Sequence, residues 1–262
     1  MNIVVCIKQV PDTTEIKIDP ITNTLIREGV ESIINPFDLY AIEEAVRLKE
    51  THPNSTVTAI TMGPPQAESA LRESVSLGVD NIILLSDRKF AGADTLATSL
   101  TLSAAIKKLG NVDIIFFGQQ AIDGDTAQVG PGVAAHLDIE QACFISKIKS
   151  IEENGNIVLE RLMEDGYDTL STKMPIAISV VKEINNPRLP SLRGKKNAKT
   201  VELTVWKSED LGLDETKTGL NGSPTQVVKI FSPQLLKNGE KYEVSAEEAA
   251  EILYKKLKEI GR

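Results

Sequence analysis

The amino-acid sequence predicts an α/β fold in which helices cover both faces of a doubly wound, mostly parallel sheet. Short apolar runs rich in β-branched residues alternate with segments whose apolar residues recur at helical spacing. The runs are continuously apolar, which is typical of strands buried on both faces of a parallel sheet. A chain of 262 residues with 41% hydrophobic content can bury the large core that such a sheet needs.

The predicted elements of the first half follow this alternation from the first residues onward. Strands are expected at IVVCI, VTAIT, NIILLS and DIIFFG. Helices are expected where apolar residues fall on one stripe, at residues 39–46, 67–75, 95–109 and after Val129.

The pattern changes after about Leu137. The segments CFISKIKSI and NIVLERLMEDGYDTLSTKMPIAISVV are separated by ENGN, so we expect added strands with a turn between them. Beyond Asn185, the segment NNPRLPSLRGKKNAKT is poor in large apolar residues and predicts an exposed, extended arm. In the tail, Ser245 and Glu248 form a capping-box pattern that predicts a C-terminal helix.

Composition excludes several classes of function. The net charge of -8 and the pI near 5.0 oppose binding to nucleic acid and to anionic membranes. Cys6 and Cys143 lie far apart in sequence, and His52 and His136 have no ligand-like neighbours, so we expect no disulfide framework and no metal site. The first apolar run is too short for a signal sequence or a membrane span, which predicts a cytoplasmic protein.

A ligand site is expected at the carboxyl ends of the parallel strands, where loops lead into helix N-termini. The segment FFGQQAIDGDTAQVGPGVAAHL provides such a loop. Gly118 closes the strand, Gly124 is expected to allow a positive φ or a close backbone approach, and Pro131 predicts that the regular helix begins near it. Polar groups for a phosphate or a ribose come from the side chains of Asp123, Asp125, Thr126 and Gln128.

The segment NPFD marks a second contact at the strand ends. Asn35 is a candidate N-cap, with Pro36 at the first helical position and Asp38 at the third. A capping role and a ligand contact are compatible, because a cap side chain lies where the polar groups of a ligand arrive. The chain has no GxGxxG, no GxxxxGK[ST] and no evident nucleophile and base pair, so neither a standard dinucleotide fingerprint, a P-loop nor hydrolytic catalysis is predicted.

Together these segments resemble the small, or beta, subunit of electron transfer flavoproteins. The resemblance covers essentially the whole chain. It rests on VCIKQVPD, NPFDLYAIEEAVRLKE, GPPQAESALRESVSLGVD, GQQAIDGDTAQVGP, LMEDGYDTLSTKMPIAISV, NNPRLPSLRGKKNAK and LYKKLKEIG, in the family's order. It implies a Rossmann-like nucleotide-binding domain at residues 1–186, followed at residues 187–262 by a partner-recognition loop, an arm and a C-terminal helix that pack on a larger alpha subunit.

The resemblance also implies a nucleotide in this chain, which is a structural AMP in the housekeeping type and a second FAD in the electron-bifurcating type. The residues that match the family's nucleotide contacts are Cys6, Asn35, Pro36, Phe37, Asp38, Met62, Gly118, Gln119, Gln120, Ala121, Ile122, Asp123, Gly124, Asp125, Thr126, Ala127, Gln128 and Val129. Two features favour FAD. The start reads KQVPD where housekeeping members commonly have KRV, and LLSDRKFAGADTLATSLTL is similar to the segment that lines the flavin in the bifurcating type.

Residues of this second segment have chemistry that suits a flavin. Gly92 allows close backbone approach, Asp94 can cap the helix, and Thr95 and Thr98 offer hydroxyl groups to a flavin edge. Arg88 is expected to place a positive charge near the flavin and to stabilise its reduced anionic form.

The activity that the resemblance implies is electron bifurcation within an NADH-dependent oxidoreductase complex. NADH delivers hydride to the FAD of this chain, and the electrons divide between ferredoxin or flavodoxin and the alpha-subunit FAD. The latter passes its electron to an acyl-CoA dehydrogenase or reductase, or to a lactate dehydrogenase. No catalytic acid or base is assigned to this chain. Leu192 matches the family's anchor on the partner dehydrogenase, and the basic charge of Arg193 favours an acidic partner surface.

Three other interpretations stay open on the sequence. A housekeeping electron carrier shares the fold, the dimer and the arm, and holds AMP in place of FAD. A nucleotide-binding protein of the universal-stress type predicts a homodimer without tightly bound flavin and leaves the arm unexplained. A nucleotide-activating enzyme of a related α/β superfamily needs a phosphate-binding Gly/Ser motif after the first strand, where this chain has KQVPD.

Overall fold

The computed structural model describes residues 1–12, 32–228 and 239–260. Within these ranges the strands are β1 (Asn2–Cys6), β2 (Gln9–Pro11), β3 (Ser32–Ile34), β4 (Thr56–Met62), β5 (Asn81–Leu85), β6 (Ile114–Gly118), β7 (Glu140–Ile151), β8 (Asn156–Met163), β9 (Gly166–Lys173), β10 (Ile176–Val180) and β11 (Leu203–Trp206). The α-helices in the same ranges are α1 (Pro36–Thr51), α2 (Glu68–Ser76), α3 (Thr95–Leu109), α4 (Val129–Leu137), α5 (Leu192–Thr200) and α6 (Ala246–Ile260).

Nine of the described strands form one sheet in the order β11-β5-β4-β1-β6-β10-β7-β8-β9. Neighbouring strands from β11 to β7 are parallel, whereas β8 is antiparallel to both β7 and β9. The short strands β2 and β3 pair with each other outside this sheet. The α/β class and the mostly parallel sheet expected from the sequence are therefore confirmed.

The central strands send alternate side chains into two cores, one on each face of the sheet. In β1, Ile3 and Val5 belong to the core beneath α1 and α2, whereas Val4 and Cys6 belong to the core beneath α3 and α4. Both faces are thus covered by helices, as in a doubly wound fold. This double burial explains why the sequence of β1 is continuously apolar.

The direction of winding reverses at β1. From β1 the sheet extends through β4 and β5 on one side, and β6 joins β1 on the other side. The carboxyl ends of β1 and β6 therefore border the crevice in which open α/β sheets bind ligands.

The second half of the chain contributes an antiparallel extension and one central strand. The turn expected at ENGN connects β7 to β8, with Gly155 at a φ of 86°. The strand β10, which the sequence predicted only as one of the added strands, lies inside the parallel sheet between β6 and β7 and is buried along its whole length. Its continuous apolar sequence IAISV is that of a central strand.

The segment NNPRLPSLRGKKNAKT is extended only in its first part, so the expectation of a loop throughout was wrong. Ser191 caps α5 by accepting the N–H of Gly194 at 2.9 Å. The helix packs on α2 through small residues, and a Cβ at Gly194 would overlap the carbonyl group of Ser76. Because Gly194 and Ala198 provide the buried face, the helix needs no large apolar residue.

The last described elements differ in how much they bury. The strand β11, which the sequence did not predict, joins the edge of the sheet beside β5.

The helix α6 begins at the expected capping box. The N–H of Ser245 donates to the side chain of Glu248, and the N–H of Glu248 donates to the side chain of Ser245, at 3.3 Å each. Its apolar residues Leu253, Tyr254 and Leu257 are exposed. Among the residues that the structure describes, no helix combines the length and the apolar character of a membrane span.

Candidate functional site

A cavity of about 330 Å³ lies at the carboxyl ends of β1 and β6, beside the N-terminal ends of α1, α3 and α4. Most of the residues expected to contact a ligand line it. These are Cys6, Asn35, Asp38, Met62, Asp94, Thr95, Thr98, Gly118, Gln119, Gln120, Ala121, Gly124, Thr126, Ala127, Gln128 and Val129.

The side chain of Asn35 joins separate parts of the cavity wall. Its Nδ2 donates to the carbonyl oxygen of Gln120 at 2.8 Å and to Oδ1 of Asp38 at 3.0 Å. Its Oδ1 accepts the N–H of Ile122 at 3.1 Å. The expected side-chain cap was therefore wrong, because Asn35 occupies the N-cap position of α1 but uses its amide to hold the loop after β6. Pro36 does begin the helix, as expected.

Asp38 is a buried carboxyl group that ties the ends of β1 and β6 together. Its Oδ2 accepts the N–H of Lys8 at 2.7 Å, and its carboxyl group also accepts the backbone N–H of Gly118. Burial raises the pKa of Asp38 to about 7, although the hydrogen bonds from Asn35, Lys8 and Gly118 act in the opposite direction. The charge of the Asp38 carboxyl group, which lines the cavity, therefore changes near neutral pH.

The inner wall of the cavity is apolar. Cys6, Met62, Leu102 and Phe117 line it. Burial, together with the nearby charge of Asp38, raises the pKa of the Cys6 thiol far above its usual range. Cys6 is therefore a neutral, apolar lining group.

Gly118 is required where β6 meets the first turn of α1. A Cβ at this position would lie 2.7 Å from the carbonyl carbon of Phe37 and 2.8 Å from the backbone nitrogen of Asp38. Backbone atoms of a helix cannot move aside cheaply. The glycine that closes the strand thus lets α1 approach the sheet closely enough for Asn35 and Asp38 to reach the cavity.

The loop that follows β6, residues 119–128, is held by polar contacts of its own. The N–H of Asp125 donates to the carbonyl oxygen of Ala121 at 2.8 Å. From outside the loop, Nζ of Lys8 lies 2.6 Å from Oδ1 of Asp123. The loop is therefore fixed to the end of β1 as well as to α1.

The positive φ angles expected at Gly124 occur elsewhere in this loop. Asp125 and Ala127 have φ angles of 52° and 53°. Gly124 lies outside the positive-φ region, and no atom lies within 4 Å of the position of its Cβ. The positive φ expected at Gly124 was therefore wrong, because the sharp turn falls one residue later, at an Asp that tolerates the left-handed conformation. The alternative expectation, a close approach of the Gly124 backbone to a ligand, stays a prediction.

The first turn of α3 forms the opposite wall. Asp94 caps the helix, as expected, by accepting the N–H groups of Leu96 and Ala97 at 3.0 and 3.1 Å. The hydroxyl of Thr95 donates to Oε1 of Gln128 at 2.9 Å, which links this wall to the loop after β6.

The helix α4 starts beside α3, two residues before Pro131 and thus close to the expected position. The two helices pack tightly because a Cβ at Gly132 would lie 2.7 Å from Oγ of Ser99. The N-termini of α3 and α4 consequently border one cavity. In α3 the side chain of Asp94 accepts the N–H groups of Leu96 and Ala97, whereas α4 has no side-chain cap. The first-turn N–H groups and the dipole of α4 therefore suit a phosphate group.

Some of the expected contact residues lie outside the cavity lining. Arg88 is exposed in the 3₁₀ turn Arg88–Phe90 that precedes α3. The others lie in the first turn of α1 or in the loop after β6, next to lining residues, and are Pro36, Phe37, Ile122, Asp123 and Asp125.

The lining also contains residues that sequence reasoning missed. They are Ile7, Lys8, Ala93, Leu102, Phe117, Gly130, Pro131 and Ser179. Lys8 lies two residues after the end of β1, in the quoted segment VCIKQVPD, so its position alone could have indicated it. Ser179 could not be found in this way, because it depends on the location of β10 beside β6.

Leu192 and Arg193 lie at the start of α5, apart from the cavity lining, and both are exposed. The base of their segment is attached to α1 by Arg188. Its Nε lies 2.7 Å from Oε2 of Glu43, and its Nη1 lies 2.6 Å from Oε1 of Glu50. The segment is therefore held to α1 at Arg188 and to α2 through α5, and it is exposed at its leucines.

Comparisons with known proteins agree on one family. The family model described as "Electron transfer flavoprotein domain" matches residues 22–211. "Electron transfer flavoprotein subunit beta" of Thermoanaerobacterium thermosaccharolyticum is 49% identical over 258 residues, which are 98% of each chain. "Caffeyl-CoA reductase-Etf complex subunit CarD" of Acetobacterium woodii is 48% identical over 260 residues, which are 99% of this chain and 98% of CarD. "Protein FixA" of Sinorhizobium fredii is 47% identical over 239 residues, which are 89% of this chain and 84% of FixA.

These similarities extend over the cavity and the arm. They favour the electron transfer flavoprotein family over the universal-stress and nucleotide-activating interpretations. They also agree with the resemblance drawn from the separate sequence segments. The chain belongs to the electron transfer flavoprotein family, as a beta subunit, and its role is electron transfer.

Proposed function

We propose that this chain forms a heterodimer with an alpha subunit, holds FAD in the strand-end cavity and takes part in NADH-dependent electron bifurcation. The observation that carries the proposal is the set of residues that line the cavity, since they come from the loop after β6 and also from the first turn of α3. The loop side offers polar groups for a phosphate and a ribose. The α3 side adds Thr95 and Thr98, which AMP alone does not require.

The donor chemistry of the cavity fits an adenine dinucleotide. The N-terminus of α4, which has no side-chain cap, suits a phosphate group. Gln120, Thr126 and Gln128 provide amide and hydroxyl groups along the loop. Met62 and Phe117 give the inner wall the apolar surface that aromatic rings require.

The protein residues have three tasks in this proposal. FAD, when bound, supplies hydride acceptance and single-electron transfer, whereas the chain binds, orients and shields it. The apolar inner wall keeps water away from the ring. Asp38 holds a proton near neutral pH, and its neutral form reduces the repulsion of a nearby phosphate.

The proposed electron routes lead to ferredoxin or flavodoxin and, through the alpha-subunit FAD, to a partner dehydrogenase. An acyl-CoA dehydrogenase or reductase is favoured over a lactate dehydrogenase, since CarD is named as a subunit of a caffeyl-CoA reductase-Etf complex. Leu192 and Arg193 are proposed to contact an acidic surface of that partner. The exposed apolar face of α6 is proposed to pack on the alpha subunit. Free Cys6 and Cys143 support a cytoplasmic location.

A second candidate function follows from the size of the cavity. Its volume of about 330 Å³ lies near the lower end of the range of about 300–1,000 Å³ for ligand pockets. This size favours AMP, the smaller nucleotide. With AMP the chain is a simple electron carrier that needs neither NADH nor ferredoxin.

Counting the nucleotides separates the two functions. The chain is co-expressed with its alpha subunit, and FAD and AMP are quantified after acid release from the purified heterodimer. Two FAD per heterodimer without AMP support the proposed function. One FAD with one AMP contradicts bifurcation and supports the simple carrier.

A variant pair locates the second flavin. Thr98→Val removes a hydroxyl from the α3 wall, and Thr169→Val makes the same change in β9, outside the cavity lining. We expect Thr98→Val to lower the occupancy of one FAD and Thr169→Val to leave both unchanged. Full occupancy of both flavins in Thr98→Val would argue against the α3 wall as part of the site.

A further inference from the structure

The chain after β11 returns to the cavity wall and lies directly on the segment that leads into α3. The N–H of Leu220 donates to the carbonyl oxygen of Ala91 at 2.9 Å. Gly219 has a φ of 54°, and its Cβ would lie 2.8 Å from the same carbonyl oxygen. The contact of Gly219 and Leu220 with the segment before α3 is therefore made backbone against backbone.

Asp94 joins this returning segment to α3 with both of its carboxylate oxygens. Oδ1 accepts the N–H groups of Leu96 and Ala97 at 3.0 and 3.1 Å. Oδ2 accepts the N–H and the hydroxyl of Thr225 at 3.1 and 2.8 Å. In return, the N–H of Asp94 donates to Oγ of Ser223 at 2.8 Å.

These contacts give Asp94 a positioning role. Burial raises its pKa, but the hydrogen bonds from Ala97, Thr225 and Leu96 together hold the pKa below its usual value. Both oxygens of the resulting carboxylate already accept hydrogen bonds from this chain. Asp94 lines the cavity together with Thr95 and Thr98. Its carboxylate oxygens nevertheless bind groups of the cavity wall and of the returning segment, and so position the wall rather than contact a ligand.

The segment held by Asp94 leads to a strongly exposed stretch of the described chain. Val227 and Val228 are 81% and 96% exposed. Within the described residues before the gap at 229–238, Thr225 is the last that hydrogen-bonds to the cavity wall. The carboxylate of Asp94 thus accepts hydrogen bonds both from the cavity wall, at α3, and from Thr225, where the exposed C-terminal part begins.

We propose that Asp94 and Thr225 form a latch that couples nucleotide binding in the cavity to attachment of the C-terminal segment. The inference rests on the proposed function only in requiring that the cavity binds FAD or AMP. A bound nucleotide orders the first turn of α3 and so holds Asp94 in position for Thr225. The closed latch keeps the same turn in position for the nucleotide, and linkage makes the two effects equal in free energy.

The test uses the heterodimer with a matched pair of variants. Thr225→Val removes the hydroxyl that donates to Asp94. Thr216→Val makes the same change in the same returning segment, where the hydroxyl donates only to Oδ1 of Asp214, at 2.8 Å. The nucleotide dissociation constant is measured with FAD or AMP, whichever the wild-type protein releases. Hydrogen–deuterium exchange of residues 218–228 is measured with and without that nucleotide.

We expect Thr225→Val to raise the dissociation constant about fivefold or more, and Thr216→Val to leave it unchanged. Nucleotide should slow exchange in residues 218–228 of the wild-type protein and should do so less in Thr225→Val. Asp94→Ser is a second variant, because serine retains the helix cap while its single oxygen cannot serve both α3 and Thr225. It should reproduce the effect of Thr225→Val.

The latch is overturned if Thr225→Val and Asp94→Ser bind the nucleotide as tightly as the wild-type protein does and if hydrogen–deuterium exchange of residues 218–228 in the wild-type protein is the same with and without the nucleotide. In that outcome nucleotide binding itself is intact, so the proposed function survives. A wild-type heterodimer that contains no nucleotide in this chain overturns the latch and the proposed function together.

Discussion

The cavity wall and the exposed faces of α5 and α6 are built in opposite ways. In the cavity wall, Asn35 and Asp38 are buried, and their polar groups are bonded within the chain. On the two helices, the large apolar side chains of Leu192 in α5 and Leu257 in α6 are 89% and 59% exposed. Changes in the cavity should therefore alter the stability of this chain together with ligand binding, whereas changes on the exposed surface should alter only its contacts with other proteins.

The largest effect is expected for Gly118→Ala. The added methyl group meets backbone atoms of α1, so we expect the free energy of unfolding to fall by about 3 kcal/mol and the nucleotide to be lost. Gly124→Ala is the matched control in the same loop region, since no atom lies within 4 Å of its Cβ position. Chemical denaturation and nucleotide content check both variants. Equal stability of the two would show that α1 can retreat from β6.

The second prediction concerns pH and Asp38. Its pKa is about 7 in the folded protein and about 3.9 in an unfolded chain. Between these values the folded state binds more protons, so this group makes the free energy of unfolding fall as pH rises, by about 1.4 kcal/mol per pH unit. Asp38→Asn removes that dependence.

Urea unfolding from pH 4 to pH 8 measures this contribution. The difference in stability between wild-type and Asp38→Asn should decline up to about pH 7 and then level off. A difference that is independent of pH would mean that the carboxyl group is ionised throughout the range.

A smaller loss is expected for Arg188→Gln at the base of the arm. The variant removes a cation from Glu43, whose side chain is only 4% exposed and retains Arg47 as a partner. The Arg188 side chain is itself 32% exposed, so we expect a loss of about 1–2 kcal/mol. Arg193→Gln, on the exposed part of the same segment, should change stability by less than about 0.5 kcal/mol. Similar denaturation curves for both variants would remove the anchoring role of Arg188.

The smallest effect on stability is expected for Leu192→Ala. Because this side chain is 89% exposed, the free energy of unfolding should change by less than about 0.5 kcal/mol. Steady-state electron transfer to the partner dehydrogenase should nevertheless slow by about tenfold in kcat/KM, as for loss of an interface anchor. Leu189→Ala, which alters a side chain that is 87% exposed, is the control and should retain most of the rate. Unchanged transfer in Leu192→Ala would contradict its role as an anchor.

The candidate site was predictable to the extent that it depends on neighbouring residues. The loop after β6 was predictable from its own run of polar residues and glycine, and the cap at Asp94 from the helix that directly follows it. The amide of Asn35 was expected to act locally, as a cap, yet its partner Gln120 lies 85 positions away in sequence. Arg88 was expected near the ligand and is exposed outside the cavity lining, so its contact with a ligand stays a prediction.

The sequence by itself determined the alternation of helices and buried strands, the capping box at Ser245 and the family. Each of these depends on periodicity, short-range chemistry or the order of recognisable segments. Only the tertiary structure decided that β10 lies inside the parallel sheet, that β11 extends its edge and that residues 214–225 return to Asp94. The physical reason is that strand order and long-range hydrogen bonds are set by how whole elements share two cores, and no single segment carries that information.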